Sequence, residues 1–170
     1  LASSKRSRSK GDIESDSSVT SYGSAGSGNV IYLDKHDVRC GSGRVLSSFK
    51  LNRTGNNIRY QRSCLKHPGV KSQTMNKETS WNLHNGSGGS TNYLDRHHVD
   101  CPTGYAIQRF QLYTKGSKIR YEYTCVAAAL KNCKKVQTGW TDAGRNYENY
   151  YLDRQDVKVP KANQAMTGFR

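Results

Sequence analysis

Apolar and polar residues alternate with a period of two in two stretches of the chain, a pattern typical of half-buried β-strands. The inward positions are Val45, Ser47, Phe49, Leu51, Ile58, Tyr60, Arg62 and Cys64 in the first stretch, and Ala106, Gln108, Phe110, Leu112, Ile119, Tyr121, Tyr123 and Cys125 in the second. A turn interrupts each stretch, at residues 53–57 and around Gly116. Two β-hairpins are therefore predicted. The best helical candidate, residues 126–130, has room for only one or two turns.

The two hairpins belong to a longer repeat that occurs almost three times. Residues 29–40 match residues 90–101, and a third copy lies at residues 150–159. Each copy is predicted to begin with an aromatic strand, to continue through a Gly/Ser/Asn loop into a strand carrying the tripeptide Tyr-Leu-Asp, and to end with the hairpin. The aromatic strands contain Tyr22, Trp81 and Trp140, and the tripeptides begin at Tyr32, Tyr93 and Tyr151.

This repeat predicts an all-β fold of tandem small antiparallel β-repeats that are hairpin-based, sandwich-like and stapled by disulfides. We expect a flexible, basic, Ser-rich arm at residues 1–18, then β-repeat 1 at 19–69, β-repeat 2 at 70–133 and a partial β-repeat 3 at 134–170. The third copy is incomplete, because Val159 replaces its first cysteine and its second hairpin strand is missing. Three repeats could also form a trefoil, but the incomplete copy argues against a closed one.

Cysteines occur at the same separation in the first two copies, which favours one disulfide inside each copy. The predicted pairs are Cys40 with Cys64 and Cys101 with Cys125. The alternative is a zinc site made of His36, Cys40, Cys64 and His67. The second copy argues against zinc, because Ala128 stands where His67 would recur. Cys133 is left over and is predicted to be unpaired or to bridge to another chain.

Acidic and histidine residues recur beside the tripeptides. They are Asp34, Asp95, Asp153, His36 and His97. In the third copy Gln155 replaces the histidine, and an amide cannot act as a general base. We therefore interpret the three Asp residues as turn caps or ion-pair partners that fix the repeat. The sequence contains no Gly-x-Ser-x-Gly, Walker loop or His-Glu-x-x-His motif. No enzyme activity, catalytic residue, metal or cofactor is therefore predicted.

Composition limits the core and suggests partners. Only 34% of the residues are hydrophobic, so aromatic residues, including Tyr32, Tyr93 and Tyr151, are expected to fill a thin core. The net charge is +14, which favours polyanions such as acidic glycans as partners, although most of the charge is spread and keeps the surface hydrated. Nucleic acid is a less favoured partner. No apolar run is long enough to span a membrane.

Two N-glycosylation sequons occur, at Asn52 and Asn85, and both are expected in loops. Covalent glycans and disulfides together predict an extracellular or cell-surface location.

The missing strand of the third copy should leave an unpaired sheet edge, which an extended segment of another subunit could cover by strand addition. The candidate donors are the arm at residues 1–18 and residues 19–22. The alternatives are that further chain follows, or that the arm folds back within its own chain.

The pattern Tyr-Leu-Asp-Arg-His-x-Val-x-Cys, then Phe-x-Leu, then Ile-Arg-Tyr-x-Tyr-x-Cys, resembles tandem repeats of secreted surface proteins of protists and microalgae, the building blocks of extracellular glycofibrils and flagellar-hair-like filaments. The resemblance covers residues 19–170. It implies a glycosylated structural protein that assembles head-to-tail with copies of itself into a fibre or coat. The alternative function is a secreted lectin-like or polyanion-binding module.

Overall fold

The structure is a computed structural model that describes residues 13–66, 68–84, 89–144 and 146–170. Within them the regular structure consists of β-strands and short 3-10 helices. The strands are β1 (Glu14–Val19), β2 (Gly23–Ser24), β3 (Val38–Arg39), β4 (Arg44–Thr54), β5 (Asn57–Lys66), β6 (Val70–Glu78), β7 (Asn82–Leu83), β8 (Val99–Asp100), β9 (Tyr105–Lys115), β10 (Lys118–Ala128), β11 (Asp156–Lys158) and β12 (Gly168–Phe169). The 3-10 helices are η1 (Gly26–Gly28), η2 (Val30–Lys35), η3 (Thr91–Arg96) and η4 (Asn149–Arg154). The prediction of an antiparallel all-β fold is confirmed.

Both predicted hairpins are present, as β4–β5 and β9–β10. Their turns are shorter than expected, because residues 53, 54 and 57 belong to the strands. The turn glycines Gly55 and Gly116 have φ of +58° and +56°, a left-handed conformation that glycine adopts without steric cost. Residues 126–128 were predicted as the start of a short helix but lie in β10, because Val126 and Ala128 pair with β6.

The Tyr-Leu-Asp tripeptides lie in the 3-10 helices η2, η3 and η4, so the prediction of strands there is wrong. In the first copy of the repeat, Val30, Leu33 and His36 are buried. This spacing of three residues matches the 3-10 helix, in which side chains at i and i+3 lie above one another. Only the two or three residues after each helix form a strand, as β3, β8 and β11.

The three units, taken as residues 19–69, 70–133 and 134–170, exchange these short strands in a ring. Strand β3 of unit 1 pairs with β9 of unit 2, β8 of unit 2 pairs with β12 of unit 3, and β11 of unit 3 pairs with β4 of unit 1. The same backbone hydrogen bond closes each junction: Cys40 N to Gln108 O (2.8 Å), Cys101 N to Thr167 O (2.8 Å) and Val159 N to Ser47 O (2.9 Å). The expectation that an incomplete third copy prevents closure is therefore wrong. Each pairing between units involves only a first hairpin strand and a short strand that follows a 3-10 helix. Unit 3 has both, as β12 and β11.

A second ring of contacts joins the loops in the same direction. Val30 N donates to Gly89 O at 3.2 Å, and Thr91 N donates to Tyr147 O at 2.9 Å. The third junction uses a side chain, since the fully buried Asn149 donates its Nδ2 to Ala25 O and Asn29 O at 3.1 and 2.7 Å. The three units consequently form one folded domain and not three independently folded domains.

The shared core is centred on three phenylalanines, one from each unit. The ring centroids of Phe49, Phe110 and Phe169 lie 4.8–4.9 Å apart in edge-to-face pairs. Tyr60 and Tyr121 flank this triangle and are buried. Burial raises the pKa of both phenols, and the nearby phenol of Tyr121 raises that of Tyr60 further. Aromatic rings thus replace the aliphatic residues that the sequence lacks.

The two predicted disulfides are present. Cys40–Cys64 and Cys101–Cys125 each join the short strand of a unit to its second hairpin strand, across the same Cα–Cα distance of 5.7 Å. Because these sulfurs are bonded to one another, they are not available to the zinc site considered above; His67 lies outside the described residues. Cys133 is a free, exposed thiol.

Candidate functional site

The three sheets of the ring differ in how many strands they contain. The first has the order β1-β5-β4-β11 and the second the order β6-β10-β9-β3. The third consists of β12 and β8 alone in the part of the chain that is described. No strand of the described residues pairs with the second edge of β12, where β5 or β10 lies in the other sheets, and we refer to this edge as the open strand position. It is the candidate functional site.

The aromatic core is incomplete at this position. Phe110 contacts both Tyr60 and Tyr121 and is only 2% exposed. Phe49 contacts Tyr60 but not Tyr121, Phe169 contacts Tyr121 but not Tyr60, and both phenylalanines are half-buried. Phe49 and Phe169 are in contact with one another, but no described tyrosine lies beside their pair as Tyr60 and Tyr121 lie beside the other two pairs.

The floor of the site carries Val159 at the place of a disulfide cysteine. Its backbone hydrogen bond to Ser47 matches those made by Cys40 and Cys101 in the other units. Both of these cysteines are buried against the second hairpin strand, whereas Val159 is half-buried. Val159 therefore packs partly buried against the core, at the position where the other two units carry a disulfide.

The segment 131–140 is exposed along its whole length and belongs to no strand. The corresponding residues of the first two units form β1 and β6, which pair with β5 and β10. The aromatic residue after each of those strands is covered by an arginine of the second hairpin strand: Arg59 lies 4.3 Å from the Tyr22 ring centroid and Arg120 lies 4.5 Å from that of Trp81. Trp140, by contrast, is fully exposed at 104%.

Two buried histidines connect these outer strands to the hairpins. His36 Nδ1 lies 3.1 Å from Thr20 Oγ1, and that hydroxyl accepts a hydrogen bond from the backbone N–H of Tyr60 at 2.9 Å. His97 and Thr79 make the same arrangement with Tyr121. In unit 3 Gln155 instead donates to Thr141 Oγ1. Histidine therefore occurs where a second hairpin strand is in place, which is a structural role.

Burial lowers the pKa of His36 and of His97 below the ordinary value of 6.5, despite the opposing effect of Asp34 and Asp95. On acidification the unfolded chain therefore binds these protons first. We expect the free energy of unfolding to be at its full value above about pH 6.5 and to fall as the pH drops from there towards the lowered pKa values. Urea midpoints at pH 7.5 and pH 5 for the protein and for His36→Gln/His97→Gln test this. The double variant should lose much of the difference between the two urea midpoints. The control His98→Gln, which changes an exposed histidine, should keep that difference. If the double variant keeps it as well, His36 and His97 are not its source.

The side chains of the tripeptide Asp residues form no ion pair with another described residue, and their alternative role as turn caps stays a prediction. No described residue makes an ion pair or a side-chain hydrogen bond with Asp34, Asp95 or Asp153. The neighbouring cation stacks on the tyrosine instead, three residues away on the 3-10 helix. The pairs are Lys35 on Tyr32 (4.4 Å), Arg96 on Tyr93 (4.2 Å) and Arg154 on Tyr151 (4.4 Å).

These tyrosines are half-buried at the surface, so their placement in the core is wrong. Their other faces lie against loop glycines in units 1 and 3, where a Cβ at Gly26 or Gly144 would meet the ring at 2.0 or 2.2 Å. In units 1 and 3 the tyrosine ring therefore lies between a glycine and a cation, and neither of its faces is free to stack on a ligand.

The remaining predicted positions lie away from the open strand position. Asn52 is half-buried in β4, not in a turn, and its Nδ2 donates to Gln61 Oε1 at 3.0 Å. Asn85 lies outside the described residues. Residues 14–18, predicted as part of the arm, form β1, whose backbone pairs with β5 although its side chains are exposed.

Fold and site define a disulfide-linked β-repeat protein with an approximately threefold ring of exchanged strands and one open strand position. No protein-family model, curated protein or solved structure matches the chain. Within the described ranges, no helix has the length and apolarity needed to cross a membrane.

Proposed function

We propose that the protein is a structural protomer of an extracellular, glycosylated fibre or surface coat that assembles head-to-tail by strand complementation. It performs no catalysis in this role. One observation supports the proposal: β5 and β10 lie beside β4 and β9 in two sheets of the ring, whereas no strand within residues 13–66, 68–84, 89–144 and 146–170 pairs with the matching edge of β12.

An edge of this kind favours strand addition for two reasons. The unpaired backbone of β12 offers hydrogen-bonding groups to an incoming strand. The half-buried side chains of Phe49, Val159 and Phe169 offer apolar surface that the same strand would cover. Assembly through this edge links each copy to the next in one direction, and such a contact produces a filament unless the rotation between copies closes a ring.

Electron microscopy and light scattering of the native protein test the proposal. We expect filaments or a ladder of oligomers. The change Val159→Asp places a charge on the floor of the site and should abolish assembly, with the β-sheet circular dichroism spectrum and both disulfides retained. Leu83→Asp is the matched control, because Leu83 is 52% exposed on β7, outside the site, and it should assemble normally. A monodisperse native monomer would overturn the proposal.

The alternative function is a secreted lectin-like or polyanion-binding module. The net charge of +14 and the fully exposed Trp140 favour it. Salt-sensitive retention on heparin, in a protein that forms no filaments, would support this alternative.

A further inference from the structure

The chain between units 2 and 3 differs from the rest of the ring. Residues 131–140 are all exposed and belong to no strand or 3-10 helix. Within the described part of the chain, no backbone group of residues 131–138 makes a hydrogen bond, and the carbonyl of Gly139 accepts one from Gln155 Nε2 at 3.3 Å. A protease can therefore draw this segment into its cleft while the sheets on either side stay folded.

Basic residues are concentrated in the same segment, as Lys131, Lys134 and Lys135. Every other lysine and arginine of the described ranges, except Lys161 and the final Arg170, lies in a strand or a 3-10 helix. Lys161 is exposed but lies in a closed turn. Its carbonyl accepts a hydrogen bond from the backbone of residue 164 at 3.1 Å, and its N–H donates to the side chain of the same residue at 3.1 Å. Among the described residues, lysines thus coincide with a long unpaired backbone in this segment.

We propose that residues 131–135 are a site of limited proteolysis for an endoprotease selective for basic residues, and that the cleaved protein remains one ring made of two chains. The reaction is hydrolysis. Water adds across the amide bond that follows a lysine, which leaves a carboxylate on that lysine and a free amine on the next residue. Cleavage after Lys135 gives fragments of residues 1–135 and 136–170. The inference concerns the connection between units and does not depend on the proposed function.

The two fragments remain together through contacts across the ring. Strand β11 pairs with β4, and β12 pairs with β8. Met166 is 6% exposed; its backbone N–H donates to Leu46 O and its carbonyl accepts from Ile107 N, both at 2.8 Å. Phe169 completes the phenylalanine triangle. None of these contacts involves residues 131–140, so hydrolysis there removes none of them.

The cleaved ring has no covalent link between its two chains. Neither described disulfide spans the cut, because the cysteines of both lie before residue 131, and Cys133 is a free thiol. The two chains therefore separate in denaturant even when both disulfides are intact. Unfolding of the cleaved protein also becomes dependent on protein concentration, because two chains must associate to refold.

The experiment is a brief digestion of the native protein with a small amount of trypsin, followed by intact mass spectrometry and size-exclusion chromatography. We expect the first cut after Lys131, Lys134 or Lys135. It should be at least about 100-fold faster than cleavage in β4, β5, β9 or β10, because those bonds are reached only after local unfolding. The product should elute at the volume of the intact protein and should separate into two chains in non-reducing urea. Cuts within residues 1–12, which contain four basic residues, remove only short peptides and are identified by mass.

Two variants make the test specific to this segment. The variant Lys131→Gln/Lys134→Gln/Lys135→Gln should lose the first cut, with an unchanged circular dichroism spectrum. The matched control removes three exposed lysines of the second hairpin and the closed turn and should be cut at the rate of the unchanged protein: Lys115→Gln, Lys118→Gln and Lys161→Gln.

The two parts of the inference fail separately. A first cut within a strand or after Arg145, or a variant of the three segment lysines that is cleaved as fast as the unchanged protein, would overturn the site. Fragments that separate on size exclusion without denaturant would overturn the two-chain ring.

Discussion

Replacing Phe110 with alanine is expected to lower the free energy of unfolding by about 3–5 kcal/mol. Phe110 is 2% exposed and lies in edge-to-face contact with Phe49, Phe169, Tyr60 and Tyr121, which come from all three units. Its removal leaves a cavity at the point where the units meet, and the exchanged strands around it limit how far the walls can relax. Urea denaturation followed by tyrosine and tryptophan fluorescence measures the loss.

The matched controls are Phe49→Ala and Phe169→Ala. Each of these rings contacts one of the two tyrosines and is half-buried, so each change should cost clearly less than Phe110→Ala. If the three variants lose equal stability, the half-burial of Phe49 and Phe169 on the side of β12 has no energetic consequence, which would contradict the difference expected here.

Removing the disulfide of unit 2 with Cys101→Ala/Cys125→Ala is expected to cost about 3.5 kcal/mol. The bond closes a loop between residues 24 apart in sequence, and this limits the entropy of the unfolded chain. For a chain of this size the loss corresponds to a fall in Tm of about 7–14 °C. Differential scanning calorimetry, with mass spectrometry to verify the remaining bond, measures it.

The variant Cys40→Ala/Cys64→Ala should lose a similar amount, because the sequence separation and the Cα–Cα distance are the same. Cys133→Ala should leave Tm unchanged, since this thiol is free and exposed. A large loss in the Cys133 variant, with the double variants unaffected, would mean that the native protein is linked by other pairs.

Local features of the fold could be predicted from the sequence. Alternation of apolar residues located both hairpins, and the equal cysteine spacing gave both disulfides. The prediction of a strand at the Tyr-Leu-Asp segment is wrong because the 3-10 helix there is only six residues long. A burial period of three is hard to recognise in so short a segment. Its tyrosines were placed in the core because a pattern does not show that Lys35 or Arg96 stacks on the ring.

The site could be predicted only in part. The change from cysteine to Val159 pointed to an unpaired edge in the third copy. The roles of Phe169 and Trp140 could not be predicted, because they depend on pairings between units that are distant in sequence. The one helpful signal is the short match of residues 165–169 to residues 45–49 and 106–110, which aligns Phe169 with Phe49 and Phe110.

The contact of η4 with the first loop has a consequence for the way this chain folds. Asn149 donates to the carbonyl of Ala25, 124 residues earlier. Contacts between such distant residues raise the relative contact order, which slows folding. During synthesis the first hairpin can fold and form its disulfide early, but β4 can pair with β11 only after units 2 and 3 have been made. Until then, the edge of β4 that later pairs with β11 can pair with a strand of another chain. A chaperone that covers this edge, or rapid pairing with β11, should limit how much of the newly made chain aggregates.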